Sequence, residues 1–215
     1  MKGPVRPGLE GAMLELDHVA VLGETLQAAV GHVEGVLGCA MGPGGAHARF
    51  GTHNRLIGLA PELYLEAIAV DPAASPPGDA RWFGLDRFRG APRLDKWIAR
   101  VPDMDAALDA FPEAGRKVAL SRGDLHWEMA VPEDGQLPFD GLFPALICWK
   151  SPVPPGRRLA AEGRALRRLV VSHPRAEALA ARLCPHLSAP LVAFETGPAG
   201  LVAEIATGQG VVRLG

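Results

Sequence analysis

Cysteine is scarce in this chain. Cys39, Cys148 and Cys184 are the only three in 215 residues. An odd number without metal-type spacing excludes a disulfide framework and a zinc ribbon, and the thiols read as structural ones in a reducing compartment. Charge of one sign is also lacking: Lys and Arg number 22 against 24 Asp and Glu. No long basic run occurs, and the short cluster Arg164, Arg167, Arg168 reads as a solvated element end, so an electrostatic grip on nucleic acid is not expected. Nothing approaches the roughly 18 consecutive apolar residues of a membrane span. The first residues show no charged start followed by an apolar stretch, which makes the cytoplasm the expected address. No Gly-x-Ser-x-Gly elbow is present, and Gly42-Pro43-Gly44-Gly45 is not followed by Lys-Ser/Thr. Covalent hydrolysis and phosphate cradling therefore have no support, and the glycine run reads as a turn. What the chain does have is 48% hydrophobic and 21% charged residues, enough to bury a real core.

The pattern along the chain starts after a Gly- and Pro-containing arm, Met1 to Gly11. Leu14 to Leu22 reads as a strand with a β-branched centre. Thr25 is placed to cap a helix carrying Leu26, Val30, Val33 and Leu37 at helical spacing, and Gly38 is a natural stop. Strands are expected near His47 to Phe50, His53 to Leu59 and Tyr64 to Val70, giving the order βαβββ. A Pro- and Ala-rich loop from Asp71 leads into a linker ending near Pro92. The order then recurs. Leu94-Asp95-Lys96-Trp97-Ile98-Ala99 answers Leu16-Asp17-His18-Val19-Ala20-Val21, with Trp97 set opposite His18 by an offset of one residue. Asp103 and Asp105 read as residues of a helix start favoured by the dipole, and strands follow near Lys117 to Leu120, Asp124 to Val131 and Phe143 to Trp149.

After Pro152-Val153-Pro154-Pro155-Gly156 a third piece begins. It has a strand at Arg167 to Ser172, a helix opening at Pro174, and short strands at Val192 to Glu195, Leu201 to Ile205 and Val211 to Leu214. Too short for a core of its own, it is expected to dock through Leu169, Val171, Leu179 and Leu183. The expected fold class is α+β. A first βαβββ module spans 12–72, a linker 73–93, a second module 94–151 and a docked C-terminal βαβββ-like extension 152–215. Two such units can bury a common core and share a pocket.

The stretches Leu16-Asp17-His18-Val19-Ala20-Val21, Gly51-Thr52-His53-Asn54-Arg55-Leu56, Tyr64-Leu65-Glu66-Ala67-Ile68, Arg81-Trp82-Phe83-Gly84-Leu85 and Pro144-Ala145-Leu146-Ile147-Cys148-Trp149 resemble the glyoxalase-like branch of the vicinal-oxygen-chelate superfamily. That resemblance implies two modules around a pocket, built within one chain or across a homodimer. It also implies a divalent metal (Zn, Fe, Mn or Ni) held by one residue from the first and one from the last strand of each module. His18 and Glu66 match the two ligands of the first module. The second departs from the pattern, with Trp97 in the first-strand position and Leu146 or Cys148 in the last.

Each candidate has a plainer reading beside the chemical one. His18 fits a ligand or catalytic residue, or a core histidine bonded to a carbonyl. Glu66, between Leu65 and Ala67, must be paired or ligated; as a catalytic base it needs a free edge, and as a structural group it needs Arg55 or His53. His53 and Arg55 share one face of their strand and line the pocket or face water. His126 and Glu128 share a face opposite the apolar Leu125, Trp127 and Met129. Tyr64, Trp82, Trp97 and Trp149 are candidate walls for a substrate, or packing residues. The functions implied are a metal-dependent lyase, isomerase or dioxygenase acting on a small oxygenated molecule, with His53 or His126 completing the site, or a non-catalytic protein that sequesters such a molecule.

Overall fold

A computed structural model of the protein describes residues 13–215; the arm from Met1 to Gly11 lies outside them. The first unit runs β1 (Glu15–Leu22), α1 (Leu26–Leu37), β2 (Gly44–His47), β3 (Thr52–Leu59) and β4 (Leu63–Val70). The second runs β5 (Arg93–Arg100), α2 (Met104–Ala110), β6 (Arg116–Arg122), β7 (Leu125–Val131) and β8 (Ala145–Trp149). Thr25 Oγ1 accepts from the Ala28 N–H at 3.1 Å to open α1, and Gly38, at φ 67°, closes it in the left-handed conformation that glycine adopts without a Cβ penalty. Asp103 does the same service for α2, accepting from Asp105 and Ala106.

Both units lie in one eight-stranded sheet, in the order β2-β3-β4-β1-β5-β8-β7-β6. The first strand of each unit runs parallel to the last of its own unit, and β1 and β5 join the halves antiparallel. The register of that seam is two-fold symmetric. The displacement that carries Leu16 onto Leu94 carries Asp17 onto Asp95, His18 onto Lys96 and Val19 onto Trp97, and it maps His18↔Ile98 onto Ala20↔Lys96. The partner of His18 in the second unit is therefore Lys96. Trp97 corresponds to Val19, with which it is paired across the seam. The expected one-residue offset does not exist.

The first glycine run also departs from expectation. Gly44 and Gly45 are the start of β2 rather than a turn, and the strand ends at His47. A Cβ at Gly44 would sit 1.9 Å from the Asn54 carbonyl oxygen, so only glycine lets this edge strand approach β3. In the second unit, β6 and β7 form a longer hairpin than the sequence suggests, turning at Gly123 with φ 57°.

The C-terminal unit comprises α3 (Pro155–Arg158), β9 (Ala165–Ser172), α4 (Ala176–Leu183), β10 (Val192–Glu195), β11 (Gly200–Thr207) and β12 (Gly210–Leu214). From β9 onward the element order repeats βαβββ but the pairing does not. Its four strands run β10-β9-β11-β12, with β9 parallel to β10 instead of to the last strand. Leu169, Val171, Leu179 and Leu183 have no exposed surface and join the same hydrophobic core as the large sheet. Burying each contributes about 1.5–3 kcal/mol. Trp97 sits at this junction, its ring 6.3 Å from Phe194 and its indole N–H donating to the Leu142 carbonyl at 2.8 Å. Among the described residues no helix is long and apolar enough to cross a membrane.

Candidate functional site

The face of the sheet opposite Val19 and Trp97 lines a narrow cleft of about 30 Å³. Alternation places its walls. From the first unit come His18, Tyr64, Glu66, Asn54 and Leu56; from the second, Leu125, Trp127, Met129, Ile147 and Trp149. His47 enters from β2 and Arg122 from β6, the two edge strands, which the curl of the sheet brings together. Trp82 and Phe83 cover the cleft from the segment between the units, and Pro155 of α3 stands at its rim. α3 is tied to both units, Arg157 to Glu62 at 2.9 Å and Arg158 to Asp124 at 2.7 Å.

The polar wall is a chain of buried contacts. Asp17 Oδ1 lies 2.7 Å from His18 Nδ1, so that nitrogen carries the proton. His18 Nε2 in turn faces Glu66 Oε2 at 3.5 Å, an ion-pair contact longer than a good hydrogen bond. The second Asp17 oxygen accepts from the Trp149 indole N–H at 3.0 Å. Asp17 and His18 are consecutive on a strand, yet both reach this wall. The seam register shifts between Leu16 and His18, and this bulge at Asp17 turns its side chain inward. Tyr64 stacks on His18 with ring centroids 4.2 Å apart and 14° between planes, fixing the imidazole.

Asn54 is the hub of the same wall. Its Nδ2 donates to Glu66 Oε1 at 2.6 Å and its Oδ1 accepts from the Gly45 N–H at 2.9 Å and from Arg122 Nη1 at 3.1 Å. Arg122 Nη1 also lies 3.1 Å from His47 Nε2, which must then accept, leaving His47 Nδ1 to donate to Thr52 Oγ1 at 3.1 Å.

These contacts set the charges. Burial disfavours the imidazolium of His18, but the Asp17 and Glu66 carboxylates on its two sides outweigh it and raise the pKa. Burial likewise opposes ionisation of Glu66, and His18, His47 and Asn54 reverse it, so its pKa is lowered. His47 goes the other way. Burial, aided by the Arg122 cation and opposed by Glu66, lowers it to about 4, so it is neutral near pH 7. Burial first, and then the Asp17 and Glu66 charges, hold the Tyr64 phenol well above 10. The contacts thus favour the charged forms of His18 and Glu66 and the neutral form of His47, beside the Arg122 guanidinium.

Of the residues singled out from the sequence, the structure brings His18, Glu66, Tyr64, Trp82 and Trp149 to the cleft. Five others lie elsewhere. His53 and Arg55 alternate with Asn54 and Leu56 and take the outer face, His53 near Asp71 at 3.9 Å and Arg55 beside α1. His126 is exposed because the apolar set Leu125, Trp127 and Met129 takes the inner face of β7; Glu128 points outward too and pairs with Lys150 at 3.0 Å. Trp97 packs behind the sheet. The partners of Glu66 are accordingly His18 and Asn54, not Arg55 or His53.

The same register tests the metal centre that the resemblance implies. Ala20 pairs with Glu66, and its counterpart Ile98 pairs with Ala145, so the second unit offers Lys96 and Ala145 where the first offers His18 and Glu66. Leu146 and Cys148 face the other side. Lys96 is buried and bonded to Asp95. His18 with Asp17 behind it is a sound ligand arrangement, yet the second histidine of the wall, His47, presents its Nε2 to a guanidinium. Two donors beside a fixed cation do not fit a four-ligand divalent site, and among the described residues no group of three acidic, histidine or cysteine side chains converges on one point.

A two-unit sheet curled around one cleft defines a protein of the vicinal-oxygen-chelate class. The family model of the glyoxalase-like domain matches residues 16–187, and the chain belongs to that family. Among solved structures, a hypothetical protein from Staphylococcus aureus shares the fold over 87% of this chain and 88% of its own, with a TM-score of 0.60 and 13% identity. Methylmalonyl-CoA epimerase from Mycobacterium tuberculosis aligns over 65% of this chain and 88% of its own, with a TM-score of 0.42 and 18% identity. The Streptomyces coelicolor methylmalonyl-CoA epimerase covers 66% and 99%, at 0.44 and 16%. No curated protein matches the chain.

Proposed function

We propose that this chain binds a small carbonyl compound with an apolar body and moves a proton at the carbon next to the carbonyl. The observation that carries this reading is the His18–Glu66 contact at 3.5 Å, set on a polar wall that faces Trp127, Trp149 and Met129. A ligand oxygen entering between them would accept from His18 Nε2–H, while Asp17 keeps the other nitrogen protonated. His18 then acts as an electrophile that favours the enolate oxygen. Drawing the imidazolium toward the ligand weakens its hold on Glu66. The carboxylate that burial alone would make basic regains that basicity and takes up the carbon-bound proton. Asn54 holds the other Glu66 oxygen in place. No step is routed through a metal, because the donor set does not fit one. Both walls come from one chain, so a partner subunit is not needed to complete the site.

A second reading, a non-catalytic protein that sequesters the same kind of molecule, draws on Lys96 and Ala145 standing where the family's second pair of ligands would be. Tryptophan fluorescence separates ligand binding from its absence. Phenylpyruvate should quench Trp127 and Trp149 saturably, and His18→Gln should weaken its binding about tenfold for one lost charge-assisted hydrogen bond. Saturable quenching unchanged by His18→Gln would contradict the placement of the carbonyl.

A further inference from the structure

Among the described residues Arg122 is the one guanidinium on the cleft wall. It is half-buried at the end of β6 and, among the described residues, has no carboxylate partner within ion-pair distance. Its two contacts, His47 Nε2 and Asn54 Oδ1, are both neutral acceptors and both use Nη1. Among the described residues the remaining donors of the fork, Nε and Nη2, form no hydrogen bond. A guanidinium held in place by neutral groups with one edge spare is preorganised for an anion. The two acids nearby offer no internal substitute, since Asp17 is bonded to His18 and Trp149, and Glu66 to His18 and Asn54.

A second observation points to the same spot. The Trp82 indole N–H is buried and has no hydrogen-bond partner among the described residues. A buried donor left unmet costs about 1–3 kcal/mol, so a group that accepts from it on binding has a real advantage. Trp82 packs edge-on against the His47 ring at 5.0 Å, and Arg122 contacts the Nε2 of the same ring, so both donors belong to residues that touch one imidazole.

We infer that the ligand is a carboxylic acid, with its carboxylate recognised by the free edge of Arg122 and the Trp82 N–H. The inference rests on the proposed carbonyl site and extends it. The carbonyl meets His18, the carboxylate meets Arg122, and the apolar body lies along Trp127 and Met129, which describes an oxo acid with an aromatic or branched tail. Neutral His47 matters here: it can accept from Arg122 only while it is uncharged, and so it helps hold the guanidinium at the wall.

The test compares phenylpyruvate with its methyl ester, by fluorescence titration of the full-length protein, Arg122→Gln and Arg122→Lys, with melting curves as a control for folding. Wild type should bind the acid about tenfold more tightly than the ester. Arg122→Gln should erase that preference, bringing the acid's affinity down to the ester's, and Arg122→Lys should restore part of it. Equal binding of acid and ester by wild type would overturn the inference and leave the carbonyl site standing. Equal loss of both ligands in Arg122→Gln would show Arg122 to be a clasp between edge strands only, which also overturns it. Failure of wild type to bind either compound would overturn the carbonyl reading and this inference together.

Discussion

His18 Nδ1 lies 2.7 Å from an oxygen of Asp17, its immediate neighbour on β1, with both side chains on the cleft side of the sheet. A regular strand forbids that, and the bulge at Asp17 permits it. The repeat of the bulge at Asp95, beside Lys96, shows that the device belongs to the module rather than to the chemistry. In the first unit it supports a histidine; in the second it neutralises a buried lysine.

The pair has a pH signature. The raised His18 pKa contributes stability that is complete below its ordinary value of 6.5 and is lost as pH rises through the higher folded value. The lowered Glu66 pKa contributes stability present above its ordinary 4.5 and lost as pH falls through the lower folded value. The two overlap between about pH 4.5 and 6.5, where the melting temperature should be highest. Asp17→Asn removes one of the two carboxylates that raise His18, so the alkaline decline should move to lower pH. Melting curves of both proteins from acid to mildly alkaline pH measure this; an unmoved alkaline limb would show that Asp17 does not set the His18 charge.

Removing outward-facing groups should matter little. His53→Ala, His126→Ala and Glu128→Ala should each leave phenylpyruvate affinity within about twofold, whereas Asn54→Ala frees a Glu66 oxygen and an Arg122 contact and should weaken binding at least tenfold. Calorimetric titration of the four variants gives the ranking directly.

Trp97 gives the opposite contrast. Trp97→Ala empties a fully buried site between the sheet and Phe194 and should cost about 3–5 kcal/mol of stability. Ligand affinity, measured where the variant is still folded, should stay near wild type. Denaturant unfolding paired with a binding curve tests both halves.

Metal removal should be without effect. Purified without added metal, the protein should contain well under one equivalent of any transition ion, and a chelator should change neither phenylpyruvate affinity nor melting temperature. About one equivalent by elemental analysis, with binding lost on chelation, would mean that His18 and Glu66 recruit donors from the ligand or solvent.

Much of this architecture was legible beforehand because it follows from period and punctuation. Thr25 and Gly38 bound α1, and Leu-Asp-His and Leu-Asp-Lys mark the two first strands. His18, Glu66, Tyr64 and Trp149 sit at inward positions of strands whose alternation is regular. The residues that escaped notice did so for local reasons. Asp17 is inverted by a bulge that no residue type announces. His47 lies on an edge strand that begins in glycines, and Arg122 reaches the wall only because the sheet curls β6 against β2. His53 and Arg55 drew attention as polar residues, yet the less conspicuous Asn54 between them is the one turned inward. The leucine-aspartate match fixes Lys96 as the counterpart of His18, and shifting it by one residue placed Trp97 on the wrong face.

The most direct test of proton transfer at the His18–Glu66 wall is deuterium incorporation next to the carbonyl of phenylpyruvate, followed by NMR in heavy water against a protein-free control. Wild type should exchange that position well above the control rate, and Glu66→Gln should fall to the control while still quenching its tryptophans on binding. Exchange by wild type no faster than the control, with the probe demonstrably bound, would contradict the account and leave a protein that holds its ligand without acting on it.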